Sequence, residues 1–281
     1  MSVGNISIKN HGNDCYLNSA LQFISQAIKA NQELLQYENN SNIYSNYIPF
    51  IKQKWSSEST EIYNPTNLKF VIAKKNKQFF NNDQQDCHEL LVCLLDIMEN
   101  KTIKKYFDSN ILSKIKCNNC TNISHVRHPI RFVSLSIDDN KSDLTTCFRK
   151  FISKENLEGD WKCEKCKHNN GSKQLIFENW SPYIIIHLKR FKWENGGKRI
   201  NTKFNFPINW SIKEMEHHKY KLRSFINHYG SFNDGHYTSC GRIKSDNWLS
   251  YNDCRIREVT LEKIKKIFNI SSYLLLYEKI I

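Results

Sequence analysis

Apolar residues recur at Leu17, Ala20, Leu21, Ile24, Ala27 and Ile28. That three-and-four spacing is one face of a helix and predicts an element from Asn13 to about Ala30. Asn13 or Asp14 is its expected N-cap, which puts Cys15 in or near the first turn. Residues 31–60 are rich in Asn, Ser, Gln and Tyr and read as helix ends and loop. A second stripe, Cys87, Leu90, Leu91, Leu94, Leu95 and Met98, predicts a helix starting near Asp83. After about Asn110 the texture changes. Short β-type runs follow at 131–137, 173–177, 183–191, 220–229, 236–242 and 273–278, divided by Gly, Asn and Pro. Leu144–Ile152 reads as a short helix between two of them. The expectation is an α+β chain, helical in its first third and β-rich thereafter, with no internal repeat.

Composition narrows this. Hydrophobic residues make up 40% of 281 residues, enough for a sizeable core, and charged residues stand at 25%, the globular norm. Collagen-like, coiled-coil and wholly disordered structures are excluded. No run reaches the ~18 apolar residues of a membrane span, so no membrane is expected. A net charge of +13 draws the chain toward an acidic surface, nucleic acid included. The charge is dispersed, however, and a basic solvated surface is the simpler reading. Met1-Ser2-Val3-Gly4-Asn5 lacks the basic and apolar regions of a signal peptide. The ten cysteines therefore read as metal ligands or catalytic thiols in a reducing, intracellular compartment, cytoplasmic or nuclear.

Cys15 follows Gly12-Asn13-Asp14 into a helix N-terminus, where unpaired N–H groups favour a thiolate. The alternative is a buried, inert thiol. A thiol nucleophile needs a base and a group to orient it. Gly235-His236-Tyr237 offers a histidine beside a small residue, and Trp248–Asp253 reads as a strand ending in Asn252-Asp253. Adjacent strands would bring Asn252 beside His236, although Asn-Asp alone is also a plain turn signal. Cys117-x-x-Cys120 and Cys163-x-x-Cys166 are two knuckles suited to one tetrahedral zinc with four thiolates. Residues 121–162 between them exceed the roughly 15–20 of a compact ribbon, so other elements should lie between. His168 is a competing ligand. Asp86 and Glu89, three apart at a helix start, either complement the macrodipole or receive a basic peptide.

Together these residues resemble the ubiquitin-specific protease family of deubiquitinating cysteine proteases. Gly12–Ser19 resembles the family's cysteine box, with Asp14 where Thr is usual. Gln84-Gln85-Asp86-Cys87-His88-Glu89-Leu90 is similar to its Gln-Gln-Asp signature, and Ile185–Phe191 to its palm strand. His228-Tyr229-Gly230 with Gly235-His236-Tyr237-Thr238 resembles the histidine box, and Tyr273–Glu278 the closing strand. The resemblance implies a papain-like fold in a single catalytic domain over 1–281. The thumb would span about 1–108. Zinc-bearing β fingers would span about 109–180, with a palm strand and helix between the knuckles, and the palm about 181–281.

By the same resemblance, Cys15 is the nucleophile, His236 the general base and later acid, Asn252 the third triad member, Asp253 its acidic neighbour and Asn10 the oxyanion donor. Asp86 and Glu89 would pair with arginines of the ubiquitin tail, and Tyr237 would wall a narrow glycine channel. His228 is the rival base. One structural zinc per chain, held by Cys117, Cys120, Cys163 and Cys166, is expected. So are ubiquitin and ubiquitinated proteins as partners, a monomer, and a nearly bare catalytic domain. Two other readings remain: a catalytically weak ubiquitin-binding scaffold, and a basic zinc protein that binds nucleic acid.

Overall fold

Among the described residues, the first third of the chain folds into six α-helices whose apolar faces meet. They are α1 (Cys15–Ile24), α2 (Ile28–Leu34), α3 (Asn42–Trp55), α4 (Thr66–Lys75), α5 (Cys87–Ile97) and α6 (Lys101–Phe107). The computed structural model describes residues 4–37, 41–56, 61–137, 142–157, 159, 161–192, 198–215, 217–231, 234–243, 247–267 and 269–280. The helix expected from Asn13 to Ala30 is broken in two. At the end of α1 the Ser25 hydroxyl donates to the Gln22 carbonyl, and the Asn31 amide donates to the carbonyls of Ile24 and Ser25. These side chains satisfy carbonyls that a continuing helix would have used. The loop expected across 31–60 contains α3. Its buried Ile43, Tyr44, Tyr47, Ile48, Phe50 and Ile51 recur at helical spacing, the tyrosines serving as core residues. The helix expected near Asp83 begins at Cys87, because the Asp86 carboxylate accepts from the backbone N–H groups of His88 and Glu89 and caps it.

The strands follow as β1 (Ser109–Cys117), β2 (Ile123–Ile130), β3 (Phe132–Ser136), β4 (Ser142–Asp143), β5 (Glu155–Leu157), β6 (Gly171–Asn179), β7 (Tyr183–Lys189) and β8 (Phe191–Lys192). The rest are β9 (Lys198–Arg199), β10 (Phe204–Asn205), β11 (Asn209–Trp210), β12 (Tyr220–Gly230), β13 (Gly235–Arg242), β14 (Trp248–Asn252), β15 (Arg255–Val259) and β16 (Ser272–Lys279). Helix α7 (Leu144–Ile152) lies between β4 and β5, and α8 (Leu261–Ile267) before β16. Two sheets matter for the site. An eight-stranded sheet runs β15-β14-β13-β12-β16-β7-β3, with β11 on β12. A four-stranded antiparallel sheet runs β2-β1-β6-β5. Strand β3, between the two knuckles in sequence, pairs in parallel with β7 in the larger sheet.

The centre of the larger sheet is buried on both faces. Tyr183 and Ile185 of β7, with Leu274 and Leu276 of β16, pack against the helices, while Ile184, Ile186, Leu188, Leu275 and Tyr277 face a second core containing Phe148, Trp210 and Trp248. Two-sided burial explains why 183–188 and 273–277 read as unbroken apolar runs. Strand β2 is the opposite case, exposed along nearly all its length. Where β2 gives way to β3, Arg131 donates to Asp108 at 2.7 Å and to Asp96 at 3.1 Å, tying the smaller sheet's base to the helices. Every residue of α1 is buried, and α1 packs across β13 and against α5. That packing delivers the N-terminus of α1 to the sheet. No helix among the described residues is long and apolar enough to cross a membrane.

Candidate active site

Cys15 is the first residue of α1 and is 6% exposed. The loop before it is held by its own side chains. Asn10 Oδ1 accepts from the N–H groups of Gly12 (2.9 Å) and Asp14 (3.2 Å). Gly12 has φ +146°, in the region that favours glycine, so the tight approach into the helix depends on it. Asp14 occupies the N-cap position, yet its side chain caps nothing. It accepts instead from the His11 N–H at 3.2 Å and from Lys69 Nζ at 2.7 Å. The His11 ring turns outward and lies 3.0 Å from Asn64 Oδ1.

His236 and Asn252 come from β13 and β14, which pair antiparallel. His236 Nε2 and Asn252 Oδ1 are 2.8 Å apart, with the ring N–H as donor. Nδ1 is then the ring nitrogen left for Cys15. The hydrogen bond with the Cys15 sulfur, the bond to Asn252 and the charges of Cys15 and Asp253 together raise the His236 pKa to about 9. Asp253 follows at φ +52° and anchors the assembly. Its Oδ2 accepts from Asn10 Nδ2 (2.9 Å), its Oδ1 from Asn18 Nδ2 (2.7 Å), and its carbonyl from the Ile8 N–H (3.1 Å). One carboxylate thus links the residue after Asn252 to both the loop before Cys15 and the helix that Cys15 begins.

His228, the rival base, is 3% exposed and stands across the ladder from Tyr237. Burial, helped by Arg199 and His236, lowers its pKa to about 4, so it stays neutral. It also explains a glycine: a Cβ at Gly235 would lie 2.1 Å from His228 Nε2.

A cleft of about 950 Å³ approaches this centre, lined among others by Asp86, Glu89, His187, Lys189, Tyr237 and Tyr273. The Asp86 carboxylate is fully engaged. Oδ1 caps α5 through His88 N (2.7 Å) and Glu89 N (3.0 Å), and Oδ2 accepts from the hydroxyls of Tyr273 (2.5 Å) and Tyr237 (3.4 Å). The sequence placed Asp86 beside Glu89 as a pair, but the structure separates their situations: Glu89 is exposed and accepts from Gln78 Nε2 at 3.1 Å. His88 and His187 stack at 3.9 Å in the cleft, and burial lowers the pKa of both. Sequence reasoning missed two supports. Lys69 is one. Gln84 is the other: its Oε1 accepts from the Gly235 N–H at 2.7 Å, across the cleft from β13. No local pattern signals either contact.

The four knuckle cysteines converge at the far end of the smaller sheet. Cys117 ends β1 and pairs with Gly171 of β6. All four sulfurs lie within 4.8 Å of one another, with Cys117–Cys166 at 3.6 Å and Cys120–Cys163 at 3.7 Å. A tetrahedral zinc with bonds of about 2.3 Å separates its sulfurs by about 3.8 Å, so the donor set fits a metal of that kind. Asn119 N–H and the Asn122 amide donate to Cys117 and Cys163. His168 offers its carbonyl to the Cys163 N–H at 2.8 Å, while the four-residue metal group consists of cysteines alone.

A protein-family model described as ubiquitin carboxyl-terminal hydrolase matches residues 6–277. Ubiquitin carboxyl-terminal hydrolase 23 of Arabidopsis thaliana is 27% identical, over 96% of this chain and 35% of its own length. Human ubiquitin carboxyl-terminal hydrolase 2 is 24% identical, over 98% of this chain and 55% of its own. The chain therefore spans about a third to a half of these relatives. Among solved structures, Ubp8 in the SAGA DUB module with Sgf11, Sus1 and Sgf73, bound to monoubiquitin, superposes with a TM-score of 0.83. That match has 21% identity and covers 99% of this chain and 70% of that one. The likeness establishes the α+β, papain-like fold.

Proposed function

Because the chain belongs to the ubiquitin carboxyl-terminal hydrolase family, we propose that it is a deubiquitinase hydrolysing the peptide or isopeptide bond after the C-terminal glycine of ubiquitin. The observation that carries this reading is His236, held between Cys15 and Asn252 with its pKa raised to about 9. At neutral pH such an imidazole keeps its proton and favours a thiolate partner. The Cys15 thiolate attacks the glycine carbonyl carbon. His236 gives its proton to the departing lysine amine, leaving a thioester and a neutral imidazole. That imidazole then takes a proton from water as the water attacks the thioester, and Cys15 leaves as thiolate. Asn252 fixes the ring by accepting from Nε2–H, the orienting role of a triad's third member.

Asn10 is the proposed oxyanion donor. One of its two amide hydrogens is on Asp253, which leaves the other for the oxygen that becomes negative in the transition state. Glu89 is the proposed partner for a tail arginine. Asp86, with its oxygens occupied, shapes the channel by holding Tyr237 and Tyr273 in its wall. Residues 1–108 would form the thumb, 109–180 mainly the fingers and 181–281 the palm.

We assign Cys117, Cys120, Cys163 and Cys166 to one structural zinc. Four thiolates close the coordination shell, so the ion would supply folding energy rather than chemistry. Elemental analysis should find about one zinc per chain. None of the ten cysteines is paired in a disulfide, which suits the proposed reducing, intracellular compartment. A single chain is the proposed catalytic unit. Light scattering tests that, since Ubp8 was solved together with Sgf11, Sus1 and Sgf73.

The deciding experiment is incubation with ubiquitin carrying a thiol-reactive C-terminus, read by mass spectrometry beside Cys15→Ala. One adduct on the parent and none on the variant supports both ubiquitin recognition and the nucleophile. No adduct on folded, zinc-loaded parent protein overturns the reading in favour of a scaffold.

A further inference from the structure

Asp14 is a carboxylate immediately before the nucleophile, 2% exposed, at the N-cap position of the helix that Cys15 begins. An aspartate there normally accepts from the first-turn N–H groups. This one does not. Its oxygens turn to the His11 N–H and to Lys69 Nζ, at 3.2 and 2.7 Å. Lys69 arrives from α4, and its side chain is itself only 16% exposed. Its ammonium also lies 3.5 Å from Asn82 Oδ1, and the Asn82 carbonyl accepts from Asn13 Nδ2 at 2.8 Å. Lys69 therefore grips the nucleophile's loop both directly and through a neighbouring turn.

A buried negative charge one residue from a thiol opposes ionisation of that thiol. It equally opposes the negative oxygen that develops beside the thiol during acyl transfer. At effective dielectric constants near 20 and separations of about 6–7 Å, an uncompensated charge shifts a neighbouring pKa by about one to two units. Asp14 does act on its surroundings, since after burial it is the next cause that pushes the Tyr16 phenol up. Paired with an ammonium at 2.7 Å, its field is largely cancelled.

We propose that Lys69 is a positioning residue for the reaction: it neutralises Asp14, so that the loop gains a buried anchor without penalising the Cys15 thiolate. The proposal rests on the reading of Cys15 as nucleophile. The other titratable groups facing Cys15 are His236 and Tyr237 of β13, Cys87 of α5 and Tyr16 of α1, with Asp253 acting on His236. All are unchanged in the variants below, so a difference between variants reports the Asp14–Lys69 pair.

The test is the pH dependence of Cys15 alkylation by iodoacetamide, followed on the Cys15 peptide, beside kcat and KM with a ubiquitin C-terminal reporter. In Lys69→Met the bare carboxylate should raise the alkylation midpoint by about one unit and lower kcat roughly tenfold with KM little changed. In Asp14→Asn the bare ammonium should lower the midpoint. The neutral pair Asp14→Asn/Lys69→Met should return toward the parent, and Lys69→Arg should stay close to it. Opposite shifts in the single variants are the signature. A merely structural pair would lower the melting temperature in both and leave the midpoint where it was, and that result overturns the proposal. If Lys69→Met does not fold, Asp14→Asn decides by the same sign rule. Alkylation needs no ubiquitin, so a parent that ignores the reporter overturns the deubiquitinase reading while the ion pair is still tested.

Discussion

Cys15 and the four knuckle cysteines set two uses of sulfur side by side in one chain. Cys15 meets one imidazole, and everything around it is held by protein groups. Asp253 ties Asn10 and Asn18 to the end of β14, Asn252 orients His236, and Lys69 holds Asp14. These supports come from four separate stretches of chain, 10–18, 69, 236 and 252–253. At the tip of the smaller sheet the sulfurs meet one another, at 3.6 and 3.7 Å, and two are only half-buried. Among the described residues the four belong to neither apolar core, so the proposed zinc would supply the cohesion. On the proposed reading, a thiol serves as a reagent where a base is fixed beside it, and as a ligand where other thiols are.

The sharpest break between the two regions is a pair of substitutions. Cys15→Ala should lower turnover at least about a thousandfold, since removing a nucleophile leaves only binding and oxyanion effects. Its melting temperature and zinc content should stay at the parent's values. Cys163→Ser should do the reverse, with zinc lost and amide exchange in β1 and β6 fast, and a chelator should reproduce it on the parent. A Cys163→Ser protein that retains zinc and protected amides would show that the tip does not depend on its metal.

A smaller effect separates the base from its orienter. Asn252→Ala should lower kcat about 10- to 100-fold, short of losing the nucleophile. It should also move the alkaline limb. The folded pKa of His236, about 9, lies above its ordinary value of 6.5. The stability that its charged form contributes is therefore complete below pH 6.5 and is lost as pH rises through 9. The proton needed by the leaving amine goes with it. Activity should fall above about pH 9 in the parent and at lower pH in Asn252→Ala, as one of the interactions that raise the pKa is removed. An alkaline limb that stays put would mean Asn252 does not support the imidazolium.

The same contrast explains what could be read from the amino-acid sequence. The knuckles are local: each Cys-x-x-Cys is a complete half-site, and the structure brings the halves together. Cys15 and His236 could be singled out because each sits in a short distinctive segment, whereas Asn252-Asp253 alone reads as a turn and is singled out through the family resemblance. Strands β7 and β16 were legible because both faces are buried and the apolar run is unbroken. Strand β2 was not, because it is exposed on both faces and shows no alternation. Helix α3 was hidden by tyrosines and asparagines that looked like loop. The break after α1 depends on Asn31, beyond the expected end of the helix. Lys69 carries no local signal, and Gln84, though it opens the Gln-Gln-Asp segment, gives no sign of its contact, for their partners lie 55 and 151 positions away.

Gln84 gives the smallest and most discriminating prediction. Its side chain is the described contact that reaches from the α5 entry to the backbone of the histidine strand, with Oε1 on the Gly235 N–H at 2.7 Å and Nε2 on Asp234 at 3.4 Å. Gly235 immediately precedes His236, so this bond holds the backbone next to the proposed base. The contact is exposed, and a net hydrogen bond of that kind is worth about 1 kcal/mol. Gln84→Ala should therefore lower kcat/KM only about fivefold, with the melting temperature and the zinc site untouched. Steady-state kinetics on the ubiquitin reporter read this directly. A loss as large as that of Asn252→Ala would make the cross-cleft bond part of the catalytic alignment. No loss would mean that β13 holds His236 by its strand pairing alone, with the helical side contributing nothing beyond Cys15.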